Sequence, residues 1–184
     1  MRRAVLFWCL LAGVALGGLF DGIALHRLLQ WHHLLSRPAA AAAETQHLRW
    51  DALLDALMWL ALVAALGGLV RHRPALLVMT ARVQIGAALA GFGLWHVADA
   101  AVAHWALGLH RIRPGAPDPL FWDLLWLALF GLAPALAGLV LLRRQTTAPL
   151  AAADGTSPTA RRLHVTRRDR KGPPHVPPRS GSLS

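Results

Sequence analysis

Residues 17–36 read GGLFDGIALHRLLQWHHLLS, and this stretch decides the fold. It closes an apolar run that begins at Ala4 and ends near Leu29. About 20 such residues are enough to cross a bilayer as a helix. Into that run the stretch sets Asp21 and His26, followed by Gln30, His32 and His33. Working outward, three further apolar runs of spanning length follow at about 52–70, 83–107 and 120–142, with Leu76–Met79 as a lead-in to the third. The runs are too long and too rich in Leu and Ala for strands. The expected fold is all-α: an integral membrane four-helix bundle over residues 1–142, followed by a disordered basic tail over 143–184.

Composition agrees. Of 184 residues, 55% are hydrophobic and 15% charged, with a mean hydropathy of +0.43. That excludes a chain too polar to fold and argues against an ordinary soluble domain. The net charge of +10 suggests nucleic acid until it is divided. Residues 143–184 carry nine Lys/Arg against two Asp; residues 1–142 carry ten Arg against seven acids. The basic character therefore lies mainly in the Pro-, Gly- and Ser-rich tail. Its cluster RRLHVTRRDRK suits a solvated, topology-fixing segment better than a specific nucleic-acid reader. The single Cys9 allows no disulfide within one chain.

Local signals fit the spans. Asp118 and Pro119 read as N-cap and first turn of the fourth helix. Pro134, near Gly131, is expected to bend it. Gly13 with Gly17, and Gly18 with Gly22, recur four apart, a spacing that lets helices approach closely in lipid. Arg2 and Arg3 before an apolar run also fit a cleaved signal peptide, but the run is long and its polar residues match those of the other spans, so it is read as a retained span. Arg2, Arg3, Arg71, Arg73, Arg82, Arg143 and Arg144 gather on one side, against Arg37, Arg49, Arg111 and Arg113 on the other. Both termini are expected to be cytoplasmic.

The polar residues are one-sided. Antiparallel threading brings Asp21 and His26, Asp51 and Asp55, His96, Asp99, His104 and His110, and Asp118 and Asp123 to the outer end. Trp31, Trp50, Trp105 and Trp122 mark the same level, as an interfacial belt should. Asp51, His47, Asp118 and His32 are read as interfacial. Asp21, His26, Asp55, His96, Asp99 and Asp123 sit deeper, where ionisable groups are costly and turn inward to pair. At 3.6 residues per turn, His26, Gln30 and His33 share one face of the first helix, and Asp21 and His32 another. His96 and Asp99 are neighbours three apart. Asp51 and Asp55 stack four apart. Gly108 is expected to end the third helix and free His110 to fold back.

Two segments, residues 17–36 and GFGLWHVADAAVAHWALGLHRIRPGAPDPLFWDLLWL at 91–127, resemble a bacterial family of four-span membrane proteins, domain of unknown function 2243. The resemblance covers about residues 4–142 and rests on the FDGI–LH–LQWHH string. Asp21, His26, His32, His33, His104, His110 and Asp123 match the family pattern. The chain departs from it at His96 (Asn is usual), Asp99 (Glu is usual), Asp55, Trp105 and Arg111. The resemblance implies a multi-pass protein of the bacterial inner membrane. It implies no activity.

Three readings of the polar end follow. One is a metal site drawn from His26, His33, His104, His110, His96, Asp21, Asp99, Asp123 and Asp55. Imidazole and carboxylate suit Zn, Fe, Mn or Cu(II), with a bis-His haem between the first and third helices as a variant. The second is a proton-coupled carrier or an accessory to a respiratory or other membrane complex, although the cytoplasmic half lacks the polar residues of a full pathway. The third is a structural or assembly protein whose Asp and His pairs only lock helices. The bilayer is the expected partner, a homo-oligomer stays open, and no Ser/His/Asp triad, phosphate loop or dinucleotide fingerprint points to an enzyme class.

Overall fold

The computed structural model describes residues 1–31 and 44–143, with side chains of the second stretch from Leu48 onward. His32, His33 and His47, and the tail from residue 144, lie outside the described residues. Every regular element among the described residues is helical. Four helices are long and apolar enough to span a bilayer: span 1 (Arg2–Leu28), span 2 (Leu48–Arg71), span 3 (Ala81–Ala106) and span 4 (Pro119–Arg143). Each matches its expected run to within a few residues. The expected lead-in at Leu76–Met79 instead straddles the end of a separate one-turn helix, Arg73–Leu77, with Pro74 in its first turn. Gln84 fixes this corner, donating from Nε2 to the carbonyls of Leu76 and Met79 at 3.0 Å each.

Spans 1 and 3 form the central pair; span 2 packs on span 1, and span 4 on span 3. The crossing of the central pair is reciprocal. A Cβ on Gly13 would run into the Ala88 carbonyl, and one on Gly91 into the Leu10 carbonyl. Two small residues thus bring the backbones into direct contact, which in lipid takes the place of a hydrophobic driving force. Gly17 meets Trp95, and Gly18 meets the Met58 thioether of span 2. The expected close packing through these glycines is therefore present. Val5, Cys9 and Ala87 are buried against Leu6, Leu69 and Met79. Leu57, Leu60, Val63 and Val70 of span 2, and Leu129, Leu136 and Val140 of span 4, are exposed. That is the surface a bilayer covers.

The central helices share an unexpected feature. After Asp21 and again after Asp99 the α-helix widens by one residue per turn, over Gly22–Leu28 and Ala100–Ala106. The amides of Leu29 and Leu107 bond to the carbonyls of Ala24 and Val102, five residues back. Both helices then stop at a left-handed residue, Gln30 (φ 50°) and Gly108 (φ 57°). Span 4 widens too, over Leu127–Leu132, just before Pro134. The missing amide of Pro134 would otherwise leave an α-helical carbonyl without its donor.

Candidate metal centre

The widened turn of span 3 brings Asp99 and His104 together. On a regular helix residues five apart point about 140° from each other. Here His104 Nε2 lies 3.0 Å from Asp99 Oδ2. Gly108 then ends the helix and lets the chain turn back, which sets His110 Nε2 at 3.7 Å from the same oxygen. The two rings meet edge to face, 4.5 Å between centroids. Asp99, His104 and His110 each offer a ligand atom, all within 4.8 Å of one another. Metal–ligand bonds of about 2.0–2.2 Å place tetrahedral ligands roughly 3.4 Å apart, so these separations suit one cation.

Span 4 supports this group from behind. Asp123 is 1% exposed. Its Oδ1 accepts from His104 Nδ1 at 3.2 Å and from the Ile112 amide at 2.9 Å, and its Oδ2 from Arg111 at 2.6 Å. The carboxylate thereby orients the imidazole and ties down the returning loop, as partners of metal-bound histidines do. Asp118 caps the span by accepting from the Phe121 amide at 3.1 Å, and Pro119 opens it, as expected. Farther out, the Arg113 guanidinium stands 5.2 and 5.1 Å from the rings of Trp31 and Trp122, which pack edge to face at 5.3 Å. This aromatic clamp joins the returning loop to the end of span 1.

A second group sits between spans 1 and 2. His26 Nδ1 is 3.4 Å from Asp51 Oδ1, and both residues are buried. Asp21 is buried beside them; its Oδ1 has no hydrogen-bond partner among the described residues. Asp51, Asp55 and Asp99 all lie within electrostatic reach of Asp21. Asp55 packs against Gly22 and takes an ion pair from Arg27.

Several expectations need correction. Asp51, read as interfacial, is turned into the bundle: it is 4% exposed and faces His26. His96 is not a partner of Asp99. Its Nδ1–H donates to the Phe92 carbonyl at 3.0 Å, and its ring lies among Phe20, Phe92, Trp126 and Phe130. Its Nε2 is buried with no hydrogen-bond partner among the described residues. Asp21 and His26, the latter within the widened turn Gly22–Leu28, are both buried. Asp55 serves Arg27, and Asp123 holds His104 rather than joining the three-residue group. His33 lies outside the described residues. Sequence reasoning misses Arg27 and Arg111 as ion-pair partners; each reaches its aspartate, Asp55 or Asp123, only after the chain has folded.

A cavity of about 540 Å³ lies at the opposite end, lined by Met1, Arg2, Pro74, Ala75, Val83 and neighbours. Among the described residues, no acidic or imidazole side chain lines it.

Against known proteins, a family described as "Predicted membrane protein (DUF2243)" matches residues 9–145, which span all four helices and both polar groups. No curated protein and no solved structure matches the chain.

Proposed function

We propose, for a chain that belongs to the DUF2243 family of predicted membrane proteins, that the polar end of the bundle holds a divalent metal ion on Asp99, His104 and His110. The observation that carries this reading is the convergence of one carboxylate and two imidazoles within 4.8 Å, with Asp123 orienting one of the rings. His104 faces carboxylates through both nitrogens. Something positive, a proton or a cation, must sit between Nε2 and Asp99. With Nδ1–H given to Asp123, the Nε2 lone pair is left for a metal.

The donors are hard or borderline, which suits Zn²⁺, Mn²⁺, Fe²⁺ or Cu²⁺ rather than Cu⁺. Three protein ligands leave a position open for water or a substrate. A bare ion fits better than haem, since the backbones of spans 1 and 3 touch and His104 is already turned to two carboxylates. The balance of arginines favours an extracytoplasmic centre with both termini cytoplasmic, in the bacterial inner membrane. There the centre would serve as an accessory to a membrane complex or to its metal supply.

The test is elemental analysis of the solubilised full chain beside its absorption spectrum. Bound metal that is lost in His104→Asn is the expected result. A metal-free protein that takes up none of these ions, and whose unfolding is unaffected by chelators, would reduce the group to a helix lock. Such hydrogen bonds contribute only about 0.6 kcal/mol each.

A further inference from the structure

The end of the bundle away from the polar groups carries charge of one sign. Arg2, Arg3, Arg71, Arg73 and Arg82 all belong to it, and no Asp or Glu falls within residues 1–20, 56–98 or 124–143. All five arginines are exposed. None of them is ion-paired to a carboxylate among the described residues. Spans 1 and 3 both begin at this end, so the positive ends of two helix dipoles add to the same sign.

The cavity of about 540 Å³ lies here, between the first turn of span 1, the corner at 74–80 and the first turn of span 3. Its size is that of a small-molecule pocket, about 300–1,000 Å³. Its wall is two-sided in chemistry. Arg2 and Thr80 are polar, whereas Pro74, Val78, Met79 and Val83 are apolar. The apolar side runs into the core: Ala75 and Met79 line the cavity and also pack against the buried Val5, Cys9 and Ala87. The corner is held in shape by Gln84, through the carbonyls of Leu76 and Met79. Spans 1, 2 and 3 begin or end at Arg2, Arg71 and Ala81, so the cavity sits at the level where hydrocarbon gives way to headgroups.

We infer that this cavity binds one anionic phospholipid, its headgroup phosphate on Arg2 and the start of an acyl chain along the Pro74, Val78 and Val83 wall. The inference does not rest on the metal reading. A soluble anion would use the arginine and leave the apolar wall in water. A zwitterionic lipid brings a cation along with its phosphate, and this end has no carboxylate to receive it. The tail has the wrong sign to fill the cavity, with nine Lys/Arg against two Asp over 143–184. An anionic lipid satisfies both halves of the wall, and basic pockets between spans on the cytoplasmic side recognise such headgroups. In the orientation proposed above, this is the cytoplasmic leaflet.

Native mass spectrometry of the delipidated full chain in neutral detergent tests this, by titration with dioleoyl phosphatidylglycerol or dioleoyl phosphatidylcholine. One phosphatidylglycerol per chain should bind ahead of any further lipid, and phosphatidylcholine should not compete. Arg2→Gln should weaken that first binding about tenfold or more, the loss of one charge-assisted contact. Ala75→Phe and Val78→Trp narrow the cavity while keeping every charge, and each should remove the first binding step. Thermal unfolding of the lipid-free variants identifies any that misfold, and Val78, 84% exposed, is the safer of the two fillings. Equal binding of the two lipids, or a first step that survives both fillings, overturns the pocket and leaves the arginines as a general attraction to the membrane surface. Glycerol 3-phosphate that displaces the lipid at equal concentration overturns the lipid in favour of a soluble phosphate ester.

Discussion

Replacing Asp123 by Asn distinguishes a metal centre from a helix lock. Asp123 accepts three hydrogen bonds at 1% exposure: His104 at 3.2 Å, the Ile112 amide at 2.9 Å and Arg111 at 2.6 Å. The carbonyl oxygen of Asn replaces Oδ1 and keeps His104 and Ile112. Its amide then faces Arg111 with donors, so the charge-assisted bond is lost. Such a bond contributes about 1.5–3 kcal/mol. The Arg111 side chain is 43% exposed, and water compensates part of that, so a loss at the lower end is expected for the metal-free protein. The effect on binding is separate. A neutral amide makes His104 a weaker donor to the metal and holds its ring less firmly, and losses of this kind weaken metal affinity about 10- to 100-fold. Calorimetric titration of Zn²⁺ into the purified variant measures the affinity, and denaturant unfolding of the metal-free form measures the stability. Lowered stability with unchanged Zn²⁺ affinity would refute the role given to Asp123 and remove His104 from the ligand set.

Gly91→Val and Gly13→Val should each prevent the central helices from meeting, because the new Cβ falls on a partner carbonyl; loss of the folded band in native electrophoresis is the readout. Gln30→Gly should stabilise the fold by about 1 kcal/mol by relieving a left-handed residue that carries a Cβ. Gly108→Ala should destabilise it by a similar amount through backbone strain alone, since a Cβ there has open space around it; chemical unfolding resolves both. Arg113→Ala removes a cation from between Trp31 and Trp122 and should shift tryptophan emission, while Zn²⁺ stoichiometry stays unchanged.

The spans were legible because hydrophobicity over some twenty residues needs only composition. The Asp118–Pro119 start and the Gly108 stop were legible because each is a local chemical requirement. Asp99, His104 and His110 were all named from sequence, but their pairing was not. A helix read at 3.6 residues per turn places Asp99 beside His96 and away from His104. The widened turn reverses that choice, and neither segment contains a proline to announce it. Asp51 was misread for a different reason. Its sequence position lies at the membrane boundary, and only the packing of span 2 on span 1 turns it inward. A signal was nevertheless present: an aspartate followed five residues later by a histidine, with a Trp–Asp pair downstream, occurs twice. Set side by side, the two occurrences pick out Asp51 as the counterpart of Asp123.

The extra residue in each widened turn makes the two central helices tolerant of a change in length that would scramble a regular one. Deleting Ile23, or Ala101, would let the backbone relax to ordinary α-helical pitch while sparing every acid and imidazole. Asp21 and His26, or Asp99 and His104, would then stand four residues apart, about 40° in phase on a regular helix, and so keep one face. An insertion has no such relief: it would carry all side chains beyond it round the helix axis by roughly 100°, although no polar group had been removed.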